Sequence, residues 1–291
     1  MTDLNPFSII RGRRKRRVKN LMKNMFGSVL SLIILVPFVV ICVNSLKNQA
    51  DANKLGLTLE GATWELFVDN YTYVIERSNY LSSLRNSVMV TGISTTVSVL
   101  IGSMASFVVV RRRTRPLKFI NSAIIMGLTL PGLMVVNYFT LNRVGLTTGT
   151  GAFTGAILLY IAGRFPFTYF IYTGFIKGVS PEIDEAAIID GVNPLGLFFR
   201  IVFPLLKPVT ITIIVSASMA IWNDFQTALY FLNDPARSTV VMSTYMFMAQ
   251  KASTWNFLFA NVVLVSLPIV TLFLCLQRYI VSGLSSGAVK G

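Results

Sequence analysis

The sequence predicts an all-α membrane protein of six transmembrane helices with both termini on the cytoplasmic side, and three observations carry that prediction. Residues of the AVILMFWYC set fill 53% of the 291 positions and only 13% are charged, roughly half the charged share of a soluble domain. Six apolar runs reach the roughly 20 residues that a hydrocarbon core about 30 Å thick demands of a helix. Lysine and arginine gather between alternate runs, which marks one side of the membrane as the inside. The net charge of +14, from 26 Lys and Arg against 12 Asp and Glu, suits contact with an anionic lipid surface.

Residues 1–24 form a basic cytoplasmic tail carrying Arg11, Arg13, Arg14, Lys15, Arg16, Arg17, Lys19 and Lys23. Such a stretch can open a secretory signal, but no small-residue cleavage site closes the apolar run behind it and five more runs follow. An uncleaved anchor is expected. A nucleic-acid-binding arm is the rival reading; directly before a transmembrane run the charges read as a cytoplasmic stop, so no nucleic acid is expected as partner. Residues 25–291 form one membrane domain, with spans at about 25–46, 87–110, 119–141, 152–176, 208–232 and 257–279.

Counting Lys and Arg fixes the orientation. With the N-terminus inside, the inner side collects the eight of the tail, five in 111–118, three in 177–207, and Arg278 with Lys290. The outer side holds seven: Lys47, Lys54, Arg77, Arg85, Arg143, Arg237 and Lys251. The outer segments are 47–86, a Gly/Thr-rich turn at 142–151, and 233–256. In the first, Trp64, Phe67, Tyr71 and Val74 recur at helical spacing, so one or two short surface helices are expected.

The inner loop at 177–208 reads as two short helices joined by a glycine. Ser180 is an N-cap, Pro181 fits the first helical position, and Glu182, Asp184 and Glu185 set negative charge at the positive end of the dipole. Ala186, Ala187, Ile188 and Ile189 continue the helix to Gly191, a residue that accepts the left-handed stop. Asn193 and Pro194 repeat the start signal, and an apolar helix runs on to Pro204. Small alanines at 186 and 187 would let a grooved partner come close; a helix merely lying on the membrane is the other reading.

Two charges, Arg164 and Asp224, fall within spans, where ionisable residues mark function by default. Trp222, Asn223, Asp224, Phe225 and Gln226 set an aromatic platform beside polar groups, as a sugar pathway needs, while interfacial anchoring and helix packing are the competing roles. Both charges facing a polar cavity or a partner is expected ahead of a direct Arg164–Asp224 pair. Pro131, Pro166 and Pro268 remove helix hydrogen bonds and allow bends. Gly151-x-x-x-Gly155 and Gly283-x-x-x-Gly287 offer close helix contacts. The sequence has no histidine, and Cys42 and Cys275 lie in apolar runs, so neither catalytic nor metal-ligating residues are expected.

The inner loop resembles a known family. Glu185-Ala186-Ala187, three residues, Gly191, nine residues, Ile201, one residue and Phe203-Pro204 are similar to the EAA motif of binding-protein-dependent ABC transporter permeases, with Phe203 where leucine is usual. Asn70-Tyr71, Arg85-Asn86-Ser87, Trp222-Asn223-Asp224-Phe225 and the ending from Gln277-Arg278-Tyr279 to Gly291 are similar to the carbohydrate branch, the maltose-type second permease subunit. The resemblance implies a permease in a bacterial inner (cytoplasmic) membrane, with Glu185, Ala186, Ala187, Asp190 and Gly191 forming a coupling helix that docks on an ATPase. It implies as partners a second homologous permease, two ATPase subunits, an extracytoplasmic solute-binding protein and a sugar. No phosphate loop of the form G-x-x-x-x-G-K-[ST] occurs, so ATP and Mg are expected on the partner and no cofactor here. The same architecture carrying a non-sugar or modified-sugar solute is the alternative. A stand-alone secondary transporter fits less well, since no internal repeat is evident.

Overall fold

The computed structural model describes residues 6–112, 114–249 and 254–287, with side chains placed over 19–112, 114–248 and 254–279. Arg113, residues 1–5, the 250–253 part of the last outer segment, and the ending at 288–291 lie outside the described residues. Among these the chain is helical, with an isolated antiparallel bridge between Lys47 and Ala62 and no strand. In chain order the helices are α1 Pro6–Asn44, α2 Gln49–Ala52, α3 Trp64–Arg77, α4 Tyr80–Arg111, α5 Arg115–Met126, α6 Met134–Arg143 and α7 Gly149–Ile176. They continue as α8 Pro181–Ile189, α9 Pro194–Leu205, α10 Lys207–Trp222, α11 Phe225–Phe231, α12 Val240–Ala249 and α13 Trp255–Gly287.

Among the described residues, four helical stretches are long and apolar enough to cross a membrane: Lys19–Asn44, Tyr80–Arg111, Gly149–Ile176 and Trp255–Tyr279. The pair α9 and α10 makes a fifth crossing if taken together, bent by 78°. The expected third span, 119–141, is two helices of 12 and 10 residues, each too short to cross alone. Pro131 has no N–H to continue α5, and bonds such as Leu128 N to Ile125 O, at 3.0 Å, tighten the chain out of the helix instead. The expected fifth span, 208–232, stops at Trp222 and restarts at Phe225. Composition alone hides such breaks, because an apolar run reads the same whether its helix is continuous or broken.

The chain divides into two compact units, 1–73 with 250–263, and 74–249 with 264–291. In the first, Asn44 and Lys47 are buried at the end of α1, and the Lys47 ammonium donates to Asn44 Oδ1 at 3.3 Å and to the Gly56 carbonyl at 3.2 Å. Asn70 donates to the Ser45 and Lys47 carbonyls, at 2.9 Å each, and accepts from Asn256 at 2.8 Å. One buried amide thus closes three chain segments, which is what the Asn70-Tyr71 motif supplies here. On the surface, the Lys54 ammonium at 2.7 Å and the Asn48 amide hold the Asp51 carboxyl below its usual range. The expected surface helix is α3, on which Trp64 is exposed and the Phe67 ring packs tilted against Tyr71.

In the second unit α4 packs along α7 through small residues. Ser94, Ser98, Gly102 and Ser106 face inward on α4, and Ser106 Oγ donates to the Tyr169 carbonyl at 2.9 Å. Close approach lets dispersion and interhelical hydrogen bonds hold helices whose outer faces gain nothing from leaving lipid. A Cβ on Gly102 would sit 2.6 Å from Thr168 Cγ2. Gly102→Leu is therefore expected to destabilise the bundle by about 1–3 kcal/mol, lowering the melting temperature of the detergent-purified protein by about 5 °C; an unchanged melt would refute the tight contact. Gly151 and Gly155 also mark close contacts, but with the carbonyls of Gly145 and Leu146 in the turn before their own helix, not with another helix.

Candidate functional site

Two places in the second unit bring candidate side chains together. The first is α8. Ser180 Oγ accepts from the Glu182 N–H at 3.3 Å, and Pro181 occupies the first turn. At the other end Gly191 takes φ +75°, Val192 N bonds the Ala187 carbonyl and Gly191 N the Ile188 carbonyl, both at 3.0 Å. These two bonds form a Schellman stop, which only a left-handed residue allows. Asn193 Oδ1 then accepts from Gly196 N at 2.6 Å and starts α9, whose residues Leu197–Val202 form a wide π turn.

The two alanines of α8 face opposite ways. Ala187 is buried in a core with Tyr172, Ile176, Leu197, Val202 and Leu206, while Ala186 is exposed. Glu185, Ile188, Ile189 and Asp190 are exposed as well, with Ile188 at 62% and Ile189 at 85% of their full area. An apolar-and-acidic face on an anchored helix is a surface that another protein can cover.

What anchors α8 is an ion pair that sequence reasoning missed. Arg111, the last residue of α4, places Nε 2.5 Å from Asp184 Oδ2 and Nη2 3.4 Å from Oδ1. The same guanidinium donates twice to the Val179 carbonyl, at 3.2 Å each. Both side chains are mostly buried, at 16% and 11% exposure. The sequence showed Arg111 as one of several inner charges and Asp184 as a helix-dipole charge; nothing in a 73-residue separation paired them.

The second place is a cavity of about 250 Å³ at the break between α10 and α11. Asp224 caps α11, its Oδ2 accepting from Thr227 N and from the Tyr160 hydroxyl, both at 3.0 Å. Arg164, Asn137 and Gln226 also line it. Arg164 is partly buried and makes no ion pair or hydrogen bond among the described residues, so it shares the cavity with Asp224 without pairing. The broken third segment supplies the wall with Gly132, Met134 and Asn137.

The other pathway candidates lie apart. Trp222 is buried and donates its indole N–H to the Val265 carbonyl at 3.1 Å. Asn223 is exposed and bonds back to the Met219 carbonyl at 2.8 Å. Phe225 stacks on Tyr245 beside a separate cavity of about 360 Å³. Of the five residues, the structure gathers Arg164 and Asp224. It adds Gln226 from the end of the expected platform, together with Tyr160 and Asn137, which carry no sequence signal because a lone polar residue in an apolar run is common in packed helices.

The family model described as "Binding-protein-dependent transport system inner membrane component" matches residues 98–286, a stretch that includes α8 and the cavity. Over 284 residues the chain is 34% identical to the melibiose/raffinose/stachyose import permease protein MelC of Bacillus subtilis strain 168, covering 96% of this chain and 100% of that protein. It is 28% identical over 279 residues to the probable starch degradation products transport system permease protein AmyC of Thermoanaerobacterium thermosulfurigenes, covering 95% and 99%. A chain in the crystal structure of a bacterial ABC transporter involved in the import of the acidic polysaccharide alginate superposes with a TM-score of 0.74 at 18% identity, over 91% of this chain and 98% of that one. That likeness is one of fold.

Proposed function

This chain belongs to the family of binding-protein-dependent transport system inner membrane components, and from that premise we propose that it is a permease subunit of an ABC importer for a sugar or oligosaccharide. The observation that carries the cargo is its end-to-end similarity to a melibiose/raffinose/stachyose import permease. The cavity at the break after α10 agrees with it: Asn137, Gln226, Arg164 and Asp224 offer both donors and acceptors, as a solute made of hydroxyl groups requires.

In this reading the protein crosses a bacterial inner membrane six times, counting the broken α5–α6 segment and the bent α9–α10 segment as one crossing each, with both termini inside. Residues 1–24 are the cytoplasmic tail and 25–291 the permease domain. A second permease completes the pathway, and an extracytoplasmic binding protein delivers the solute to the outer segments. Two ATPase subunits hold ATP and Mg, and the chain itself performs no chemistry. Glu185, Ala186, Asp190 and Gly191 present the coupling helix α8 to an ATPase, with Ala187 holding it from behind. Closure of the ATPases drags α8, and the tether to α4 passes that motion to a span as a rigid-body shift.

Co-purification tests the assembly. The tagged chain, expressed in its native host, is expected to bring out a second permease, an ATPase and a binding protein; recovery alone would refute the reading. Glu185→Lys reverses the charge of the docking face and is expected to abolish substrate-stimulated ATP hydrolysis by the reconstituted transporter. Full stimulation in that variant would remove Glu185 from the contact. An acidic sugar is the second reading, favoured by the unpaired Arg164 in the cavity. Thermal-shift screening of the co-purified binding protein with neutral and uronic oligosaccharides separates the two.

A further inference from the structure

A further pair of cavities lies between the end of α4, the first turns of α5 and the end of α7. They measure about 670 and 380 Å³, lie along α5 and α7, and share Asn121, Thr173 and Lys177 in their walls. Lys118 and Lys177 are exposed, neither is in an ion pair among the described residues, and no carboxylate lines either cavity. Thr173 is 6% exposed, with its hydroxyl buried beside Tyr169. The neighbouring Tyr169 hydroxyl is committed to Asn121 Oδ1 at 2.8 Å, which leaves the Asn121 amide hydrogens without an acceptor among the described residues. Two cations and an amide donor therefore line one empty volume. An anion that meets both ammonium groups and the amide is held by charge-assisted hydrogen bonds.

We propose that these cavities bind the phosphodiester headgroup of an anionic phospholipid of the adjoining leaflet. A small soluble anion would answer the lysines alone. The walls continue into Phe170 and Phe175, large apolar side chains that stay half exposed on α7. A phospholipid satisfies both halves, its phosphate between Lys118 and Lys177 and its acyl chain along the two rings. The basic end of the spans is also where positive charge meets anionic headgroups. The inference rests on the chain's crossing a membrane, and not on the cargo or the direction of transport proposed above.

The test is native mass spectrometry of the purified transporter, with its co-purifying partners, after exchange into detergent containing phosphatidylglycerol or phosphatidylcholine. Phosphatidylglycerol is expected to be retained in preference. Lys118→Gln with Lys177→Gln should lower its retention about tenfold. A Cβ on Gly174 would meet nothing within 4 Å, so Gly174→Leu fills the larger cavity without a clash and should lower retention of the lipid while the melting temperature holds. Equal retention of the two lipids, or undiminished retention in both variants, would overturn the proposal. Displacement by excess inorganic phosphate would overturn it too, by assigning a free-anion site. Retention seen only in the chain stripped of its partners would give the cavities to a subunit interface instead.

Discussion

Asp184→Asn is expected to reduce substrate uptake by reconstituted transporter about tenfold or more while leaving the subunits assembled. Asp184 holds the Arg111 guanidinium through two contacts, and that guanidinium also fixes the Val179 carbonyl just before α8. Breaking a well-buried ion pair from one side costs about 3–5 kcal/mol. The residual exposure of 16% and 11% calls for a discount to about 2 kcal/mol, and each 1.4 kcal/mol is tenfold in the ratio of anchored to loose helix. The loss falls on transmission: α8 would still meet an ATPase through its outer face, but would no longer be tied to α4. Uptake into proteoliposomes, measured beside ATP hydrolysis, should show hydrolysis persisting as transport falls. The double change Arg111→Gln with Asp184→Asn should be little worse than Arg111→Gln alone, because that change already removes the ion pair along with the bonds to Val179. Additive losses, or uptake at the wild-type level, would dismiss the tether.

Asp224→Ala should destabilise the protein by about 2–4 kcal/mol, the sum of a lost N-cap worth about 1 kcal/mol and a buried Tyr160 hydroxyl left unpaired at about 1–3 kcal/mol. A single oxygen, Oδ2, accepts from both Thr227 N and Tyr160. Asparagine keeps one such oxygen, so Asp224→Asn should retain both bonds and most of the stability while removing the charge. This separates two roles that the sequence leaves merged. Thermal unfolding reads the joint, and uptake reads the cavity. A stable Asp224→Asn protein with impaired uptake would assign the carboxylate charge to the pathway, and full uptake would confine Asp224 to packing. An Asp224→Ala protein as stable as the wild type would remove the joint altogether.

Much of the architecture is written in local residue chemistry. The apolar runs around Val36, Val99, Tyr160 and Leu264 each become a helix, because a long uncharged run has one low-energy form in lipid. The stop and start signals from Ser180 to Pro194 become the observed caps of α8 and α9, since a cap depends on side chains within four residues of the bond it makes. The motif at Glu185-Ala186-Ala187 and Gly191 is legible for the same reason: it is a helix, its exposed face and its stop.

The tertiary structure alone decided what these elements do to one another. Hydropathy cannot see that Pro131 and Asp224 break their spans, because a broken apolar run has the composition of an intact one. It cannot see that Trp222, Asn70 and Asn86, which carry much of the resemblance, spend their polar groups closing joints, on Val265, on Ser45 and Lys47, and on Ala236 and Ser238. Nor does it pair Arg111 with Asp184, or bring Lys118 beside Lys177. Hydrophobic burial is a property of each run and is read along the chain, whereas an ion pair or a cavity is a property of directions in space, fixed only when the helices have packed.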